Sequence, residues 1–287
     1  MVVGDVMTDV IARHPGAISW GSDTPARIEN RLGGAGSNVA HWMAHLGAEV
    51  TLVASVGDDS AGRDAVEALT AAGVDVRATV VPGVPTGCVV ALVDSRAERT
   101  FLSDQGANAH MVVPALPADV GHVHVSGYVV HAASNRALAA DAIAAARAVG
   151  ATTSVDAASV APLHATGPRT FLEAVAGVDL LVVTVDEAEL LVRTRDPGRA
   201  MDALGEFAPE VILKLGRAGA MYGGRGMEGH CPAATPDAPV IDTTGAGDAF
   251  MAGFLTARAR GADPLDALTE ACASGARAVT LVGARPT

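Results

Sequence analysis

Short apolar segments alternate with helical segments along most of this chain of 287 residues. Buried strands are predicted where valine, leucine and isoleucine are concentrated, at 50–56, 123–125, 151–155, 180–185 and 211–215. Helices are predicted between and after these strands, at 61–72, 134–149, 187–192, 201–207, 246–260 and 264–279. Strands separated by helices pair in parallel, so the sequence predicts an α/β fold in which helices cover both faces of a mostly parallel sheet.

Two segments depart from this alternation. Residues 11–31 have no helical period, and residues 87–103 have the pattern of a β-hairpin with its turn at 94–98. Antiparallel strands inserted into an α/β domain indicate a small β lid, with ordinary edge strands of the main sheet as the alternative. We therefore predict one domain over residues 1–287, with a β lid contributed by about 11–31 and 87–103.

The charged residues exclude several ways of binding a nucleotide. The chain has 32 Asp and Glu against 20 Lys and Arg, a formal net charge of −12, and Lys214 is its only lysine. A phosphate loop of the Gly-Lys-Ser/Thr type is absent because Leu215 follows Lys214. The acidic excess also argues against nucleic acid and anionic membranes as partners. Any nucleotide must therefore be bound without a lysine-containing phosphate loop.

Cysteine usage and hydropathy indicate the compartment. The three cysteines, Cys88, Cys231 and Cys272, are far apart and form no CxxC motif, which is typical of free thiols in a reducing environment. The N-terminus has no basic leader, and the apolar run at 178–185 is too short to span a bilayer. We expect a cytoplasmic protein without membrane contact.

The first glycine segment occupies residues 33–38. Its glycines allow a ligand to approach the backbone, and Asn38, predicted to start the next helix, offers both a donor and an acceptor to a polyhydroxylated ligand. The alternative is a helix N-terminus that is merely capped by Ser37 or Asn38. A dinucleotide fingerprint is disfavoured because the preceding residues are polar and Val39 replaces the third glycine.

The second glycine segment occupies residues 242–250 and leads into an apolar helix. Gly245, Ala246 and Gly247 leave backbone N–H groups uncovered at a helix N-terminus, which makes an anion site without lysine. Asp248 lies in the first turn, where it can act as a base for an attacking hydroxyl beside that anion. The alternative is an ordinary helix with an acidic first turn.

These two segments resemble the signatures of the ribokinase-like (PfkB) family of carbohydrate and nucleoside kinases. The first signature matches Gly33, Gly34, Gly36, Asn38 and Ala40, and the second matches residues 242–255. The resemblance implies a three-layer α/β/α ribokinase-like fold with a small β lid. It also implies an enzyme that uses ATP and Mg²⁺ and transfers the γ-phosphoryl group to a hydroxymethyl group.

The resemblance also assigns roles to residues around the acceptor. Asp248 would be the catalytic base, and Gly245, Ala246 and Gly247 would form the anion hole. The substrate would be bound or closely approached by residues of the N-terminal half, namely Asp9, Gly33, Gly34, Asn38 and, near the lid hinge, Asn108. Tyr128 follows a predicted strand end, where open α/β sheets bind ligands, and is predicted to contact the substrate.

At the nucleotide end, the resemblance points to residues of the C-terminal half. Lys214, at a strand end, is predicted to contact the phosphates, with Gly216, Gly219 and Asp186 as further ATP-binding residues. Asp186 and Glu189 match an Asn-x-x-Glu pattern whose glutamate organises water around Mg²⁺, with Asp in place of Asn. Asp242 and Thr244 match a loop that binds a monovalent cation in ribokinases, so K⁺ is a candidate ion.

The prediction is an ATP-dependent kinase of a small sugar. A nucleoside kinase of the same family, of the adenosine or pseudouridine type, is the alternative, although an aromatic content of 3% leaves little surface for a base. A non-catalytic sugar-binding regulator is a further alternative, against which the intact base and anion hole argue. The strand at 88–93 is apolar on both faces, so a homodimer through the β lid is expected.

Overall fold

The computed structural model describes residues 1–96 and 99–286. Its strands, in chain order, are β1 (Val2–Val3), β2 (Met7–Arg13), β3 (Arg27–Gly33), β4 (Thr51–Gly57), β5 (Asp75–Val81), β6 (Gly87–Val93), β7 (Arg99–Asp104), β8 (His122–Val125), β9 (Thr152–Asp156), β10 (Leu180–Thr184), β11 (Glu210–Lys214), β12 (Ala220–Gly224) and β13 (Met227–Cys231). Its α-helices are α1 (Ala35–His45), α2 (Ser60–Ala71), α3 (Gly127–His131), α4 (Arg136–Ala148), α5 (Val160–Thr166), α6 (Pro168–Ala174), α7 (Val185–Val192), α8 (Pro197–Leu204), α9 (Ala246–Ala259) and α10 (Pro264–Ala278).

The larger sheet carries the core of the molecule. Its order is β13-β12-β11-β10-β9-β8-β1-β4-β5, and the strands from β11 to β5 run parallel. Successive residues of a strand point to opposite faces. Accordingly, Leu52 and Val182 join the apolar cluster under α1, α2, α9 and α10, whereas Val53 and Leu181 join the cluster under α3–α8. Burial on both faces explains the continuous apolar runs, and the predicted three-layer α/β fold is confirmed.

The helix boundaries follow from local capping. The Asp59 side chain accepts a hydrogen bond from the Gly62 N–H at 2.8 Å and caps the N-terminus of α2. The helix predicted at 201–207 instead spans Pro197–Leu204, because Asp196 caps its N-terminus and Pro197 occupies its first position.

The sequence does not predict several elements at the edges of the fold. Strands β5, β12 and β13 lie at the two edges of the larger sheet, where the burial that produces a clear apolar run is incomplete. The short helices α5 and α6 are only seven residues each. None of the helices in the described part of the chain is long and apolar enough to cross a membrane.

A smaller, separate sheet lies where the lid is expected. Its order is β3-β2-β6-β7, with β2 parallel to β6 and the other two pairings antiparallel. The lid strands begin earlier than the sequence predicts, since β2 starts at Met7 and not near residue 11. The hairpin of β6 and β7 is present, and residues 97 and 98 of its expected turn lie outside the described residues.

Candidate active site

A cavity of about 790 Å³ lies between the lid and the carboxyl ends of the parallel strands. The carboxyl edge is where open α/β sheets bind their ligands. Many of the residues singled out in the sequence line this cavity together: Asp9, Gly34, Asn38, Asn108, Tyr128, Lys214, Thr244, Gly245, Gly247 and Asp248. Segments that are distant in sequence therefore converge on one site.

Asp248 lies at the centre of this convergence. Helix α9 begins after Gly245, which adopts the left-handed conformation (φ 74°), and Asp248 occupies the first turn. Burial raises the pKa of Asp248 to about 7, and the charges of Asp156 and Asp5 act in the same direction. The Asn38 Nδ2 group donates a hydrogen bond to Asp248 Oδ2 at 2.9 Å, which favours the ionised form. A carboxyl group with this pKa can exchange a proton near neutral pH.

The anion hole predicted at 245–247 adjoins Asp248. The first N–H groups of a helix lack partners within it, so the N-terminus of α9 can receive an anion. Gly245 is packed tightly, since a Cβ there would lie 2.5 Å from the Cα of Ala284. A Cβ on Gly247 would lie 3.6 Å from Lys214 Nζ, which places the lysine beside the same turn. The turn and Lys214 together form the positive end of the cavity.

Helix α1 begins differently from the prediction. Gly34, at φ 96°, is its N-cap, and the helix starts at Ala35, so the prediction that Asn38 starts it is wrong. The Asp5 carboxylate, just after β1, accepts hydrogen bonds from the N–H groups of Ala35 and Gly36, both at 3.1 Å. Because Asp5 satisfies these groups, neither Ser37 nor Asn38 is needed as a cap, and the Asn38 side chain faces Asp248.

Asp9 and Gly33 form one unit across β2 and β3. A Cβ on Gly33 would lie 2.2 Å from Asp9 Oδ1, so the missing side chain makes room for the Asp9 carboxyl group. Burial and the charge of Asp5 raise the pKa of Asp9 to about 6. The adjacent Gly34 packs against the backbone of Asp5, since a Cβ on Gly34 would lie 2.5 Å from the Asp5 carbonyl oxygen.

Asn108 and Tyr128 both line the cavity. The Asn108 amide pairs with the backbone of Val6, accepting from its N–H at 3.0 Å and donating to its carbonyl at 2.8 Å. Val6 immediately precedes strand β2, so Asn108 lies where the smaller sheet joins the larger one. Tyr128 is in the first turn of α3, and burial raises the pKa of its hydroxyl group.

The remaining predicted nucleotide residues lie outside the cavity lining. Gly216 is the first residue of the short 3₁₀ helix Gly216–Ala218 and Gly219 follows that helix, both with positive φ. Asp186 and Glu189, on α7, share one partner, because Arg195 lies 2.7 Å from the first carboxylate and 2.5 Å from the second. Within residues 1–96 and 99–286, no group of three or more His, Cys, Asp or Glu side chains is placed to hold a metal ion.

The loop predicted to bind a monovalent cation is tied to the C-terminal segment. Asp242 is buried, and its Oδ1 accepts from the Thr244 N–H at 2.9 Å. Its Oδ2 accepts from the Gly283 N–H at 3.0 Å. The carboxylate thus holds the loop before α9 against residues near the end of the chain.

Three charged residues of the site are missed by the sequence reasoning. Asp5 and Asp156 line the cavity; Asp5 comes shortly after β1 and Asp156 is the last residue of β9, and the carboxyl end of a buried strand could have indicated a ligand site. Asp156 Oδ1 accepts from the Gly127 N–H at 2.8 Å and so positions the turn that carries Tyr128. Arg285 lies after the last helix, in a segment with no motif, and its guanidinium contacts Asn38.

Comparisons with known proteins identify the family and the fold. Residues 1–287 match the pfkB family of carbohydrate kinases. The chain is 32% identical over 260 residues to the ATP-dependent ribose-1-phosphate kinase of Halopiger xanaduensis, covering 88% of this chain and 82% of that protein. It is 30% identical over 299 residues to the 2-dehydro-3-deoxygluconokinase of Thermoproteus tenax, covering 99% and 89%. The crystal structure of adenosine kinase from Sinorhizobium meliloti is similar in fold, with a TM-score of 0.88, 23% identity and coverage of 99% and 94%.

Proposed function

The chain belongs to the pfkB family of carbohydrate kinases and is an ATP-dependent sugar kinase, and from that premise we propose how its site works. Asp248 is the base. It accepts the proton of a hydroxymethyl group as that oxygen bonds to the γ-phosphorus of ATP, and the bond from phosphorus to the ADP oxygen breaks. The N–H groups of 245–247 stabilise the charge on the transferring phosphoryl group.

The observation that carries this proposal is the placement of Asp248. Its carboxylate lies in the first turn of α9, beside the glycines that can receive an anion and the ammonium group of Lys214. Its pKa of about 7 lets it take a proton during the reaction and lose it again afterwards.

The acceptor end of the cavity supports a polyhydroxylated substrate. Asp9 and Asn38 offer carboxylate and amide groups, and Gly34 leaves its backbone open to the cavity. Tyr128 and Asn108 complete this end, the first as a substrate contact and the second through the lid hinge. We assign the sugar hydroxyls to Asp9, Gly34 and Asn38.

The nucleotide end is assigned to Lys214, Asp186 and the turn that contains Gly216 and Gly219. In kinases, Mg²⁺ is commonly held by the nucleotide phosphates together with one or two carboxylates, often through water. Glu189 fits this role, because its carboxylate is about half exposed and its ion pair with Arg195 is of the weak, solvent-screened type.

A monovalent cation is the second ion of the proposal. The buried carboxylate of Asp242 and the neighbouring Thr244 suit K⁺, which prefers oxygen ligands. We expect activity to be higher in KCl than in tetramethylammonium chloride at equal ionic strength, and equal rates would remove K⁺ from the proposal.

The test of the catalytic assignment is Asp248→Asn. Removing a general base should lower kcat by about 10²- to 10⁴-fold, measured as ADP release. Asp266→Asn is a matched control, since Asp266 also lies in the first turn of a helix, α10, but is exposed and outside the cavity lining. Equal turnover by wild type and Asp248→Asn would overturn the assignment.

The substrate class is tested with a panel of acceptors. The curated relatives act on a sugar phosphate and a sugar acid, and the structural neighbour is an adenosine kinase. Sugars, sugar acids, sugar phosphates and nucleosides should be compared by ADP release and by thermal shift. We expect a sugar to give the highest kcat/KM, whereas a nucleoside that exceeds every sugar would favour the nucleoside-kinase alternative.

A homodimer through the lid is also proposed. Residues two apart on the lid strands share a face, and the face opposite the cavity carries the apolar row of Val10, Val90 and Leu102. Leu102 is 59% exposed and Ile28, on the same face, is 65% exposed. Light scattering should give a dimer for the wild type and a monomer for Leu102→Glu. A monomeric wild type would contradict the proposal.

The proposal places the enzyme in the cytoplasm, where ATP is supplied. Three cysteines are present as free thiols, two of them partly exposed, which suits a reducing compartment. Fractionation of cells that express the protein should recover the kinase activity with soluble cytoplasmic enzymes.

A further inference from the structure

The guanidinium of Arg285 lies against the first turn of α1. Its Nε donates to Asn38 Oδ1 at 3.0 Å, and its Nη2 donates to Ser37 Oγ at 2.7 Å and to the Gly33 carbonyl at 3.2 Å. Burial lowers the pKa of Arg285 to about 10, so the group stays charged at neutral pH. The three acceptors hold this half-buried guanidinium in a defined position next to the site.

This contact fixes which way the Asn38 amide faces. A guanidinium can only donate hydrogen bonds, so it selects the amide oxygen of Asn38. The amide nitrogen must then point the other way, where it donates to Asp248 Oδ2 at 2.9 Å. One side chain therefore connects Arg285 to Asp248 in a defined orientation.

The segment that carries Arg285 is anchored on three sides. The indole N–H of the buried Trp42 donates to the Ala284 carbonyl at 2.9 Å, and Gly283 donates to Asp242. Arg31, on the lid strand β3, donates to the Val282 carbonyl at 2.6 Å. These anchors hold the backbone of 282–285 in place, so the guanidinium of Arg285 extends from a segment that is fixed to the rest of the fold.

We propose that Arg285 is a positioning residue for the phosphoryl transfer, because it orients the Asn38 amide so that Nδ2 holds one oxygen of Asp248. The other carboxylate oxygen is then left for the proton of the acceptor hydroxyl. The inference rests on the proposed role of Asp248 as the base, and it adds a residue that the signatures of residues 33–40 and 242–255 do not contain.

The consequence is a pH dependence that Arg285 sets through Asn38. A positive charge polarises the amide and strengthens its hydrogen bond to the ionised carboxylate. The other charged and titratable groups facing Asp248 come from β1, β9, β11 and α3, and they are Asp5, Asp156, Lys214 and Tyr128. Asp9, on β2, His41, on α1, and Asp5 face Arg285. Without Arg285, the negative charges of Asp5 and Asp156 have a larger effect on the pKa of Asp248, and Asp248 should stay protonated to higher pH.

The experiment compares pH profiles of kcat/KM and kcat for wild type, Arg285→Met, Arg285→Lys and Arg31→Met. In Arg285→Met, the acid limb should move up by about one pH unit, in line with the loss of a nearby opposite charge. Arg285→Lys, which keeps one charged donor, should lie between Arg285→Met and wild type. Arg31→Met is the matched control, because it removes one anchor of 282–285 and leaves those of Trp42 and Asp242. Arg31 has no contact to Asn38 among its hydrogen bonds, so the acid limb of Arg31→Met should coincide with that of wild type. The titration of ATP itself is common to all four proteins and cancels in the comparison.

Three results would overturn the inference. They are an unmoved acid limb in both Arg285 variants, an equal shift in Arg31→Met, and a uniform rise in the acceptor KM at every pH, which would make Arg285 a substrate contact. Thermal unfolding shows whether each variant is folded. If Arg285→Met does not fold, the pH profile of Arg285→Lys tests the inference. Failure of the proposed function is distinguished by Asp248→Asn, because full activity in that variant would refute the base whatever the Arg285 profiles show.

Discussion

The contact between Gly4 and Gly36 fixes the distance between strand β1 and helix α1. A Cβ on Gly36 would lie 2.4 Å from the Cα of Gly4 and 2.8 Å from its carbonyl carbon. Both atoms belong to the backbone, so no side chain can rotate away. Gly36→Ala therefore forces the helix and the strand apart by about 1 Å before an ordinary contact of 3.4 Å is reached.

Two effects of opposite sign compete in Gly36→Ala. Alanine is favoured over glycine within a helix by about 0.5–1 kcal/mol. Overpacking costs about 1–3 kcal/mol, and the rigid neighbours place this site at the upper end of that range. We expect overpacking to win, with a net loss of about 1–2 kcal/mol in the free energy of unfolding and a fall in Tm of about 2–4 °C for each kcal/mol.

The displacement of α1 should also lower the catalytic activity. Gly36 donates to Asp5 at 3.1 Å, and Asn38, two residues on, holds Asp248. A misplacement of about 1 Å can lower activity by about 10²-fold, so kcat/KM should fall by that order.

Denaturant unfolding and ADP release measure the two effects of Gly36→Ala. Gly121→Ala is the control, since Gly121 has an ordinary φ and a Cβ there would meet nothing within 4 Å. If Gly36→Ala proves as stable and as active as Gly121→Ala, the close contact does not position α1 and the reasoning is refuted.

Three further predictions concern titration and nucleotide binding. Burial raises the pKa of Asp248 in the folded protein to about 7, so the stability contributed by the protonated carboxyl group is complete below pH 3.8 and is lost as pH rises through 7. Over that range the unfolding free energy of Asp248→Asn should rise relative to that of wild type by about 1.4 kcal/mol per pH unit. A difference in unfolding free energy that does not change with pH would contradict this. Burial lowers the pKa of the fully buried His124, so the sign reverses: wild type should lose stability relative to His124→Asn as pH falls below 6.5, measured by the same denaturant titrations at pH 7 and pH 5. Lys214→Met should raise the KM for ATP by about tenfold, the loss of one charge-assisted hydrogen bond, and an unchanged KM would exclude the contact with phosphate.

Local chemistry accounts for the parts of the site that the sequence predicts. The turn before α9 needs Gly245 because its φ is 74°, and the acidic residue three positions later is visible as Asp248. The strands at 51–57 and 180–184 are recognised because both of their faces are buried. These features depend on a few consecutive residues, which is why they can be read without a structure.

The start of α1 shows where such reading fails. Sequence reasoning looks for a cap among the residues next to the helix, and it finds Ser37 and Asn38. The actual partner of the first N–H groups is Asp5, 30 residues away from Ala35 in sequence. A carboxylate brought in by a neighbouring strand leaves no local pattern.

What the sequence by itself determines is the α/β alternation of strands and helices and the residues of the two glycine segments, because each depends on local periodicity and local backbone geometry. The family follows from the resemblance of those two segments to its signatures. Only the tertiary structure decides that Asn38 and Asp248, separated by 210 residues, share a hydrogen bond. It also decides that Arg285, 247 residues from Asn38, fixes the orientation of that amide. Burial and neighbouring charge set the pKa of Asp248, and both arise only when α1, β9, β11 and the residues after β1 converge around it.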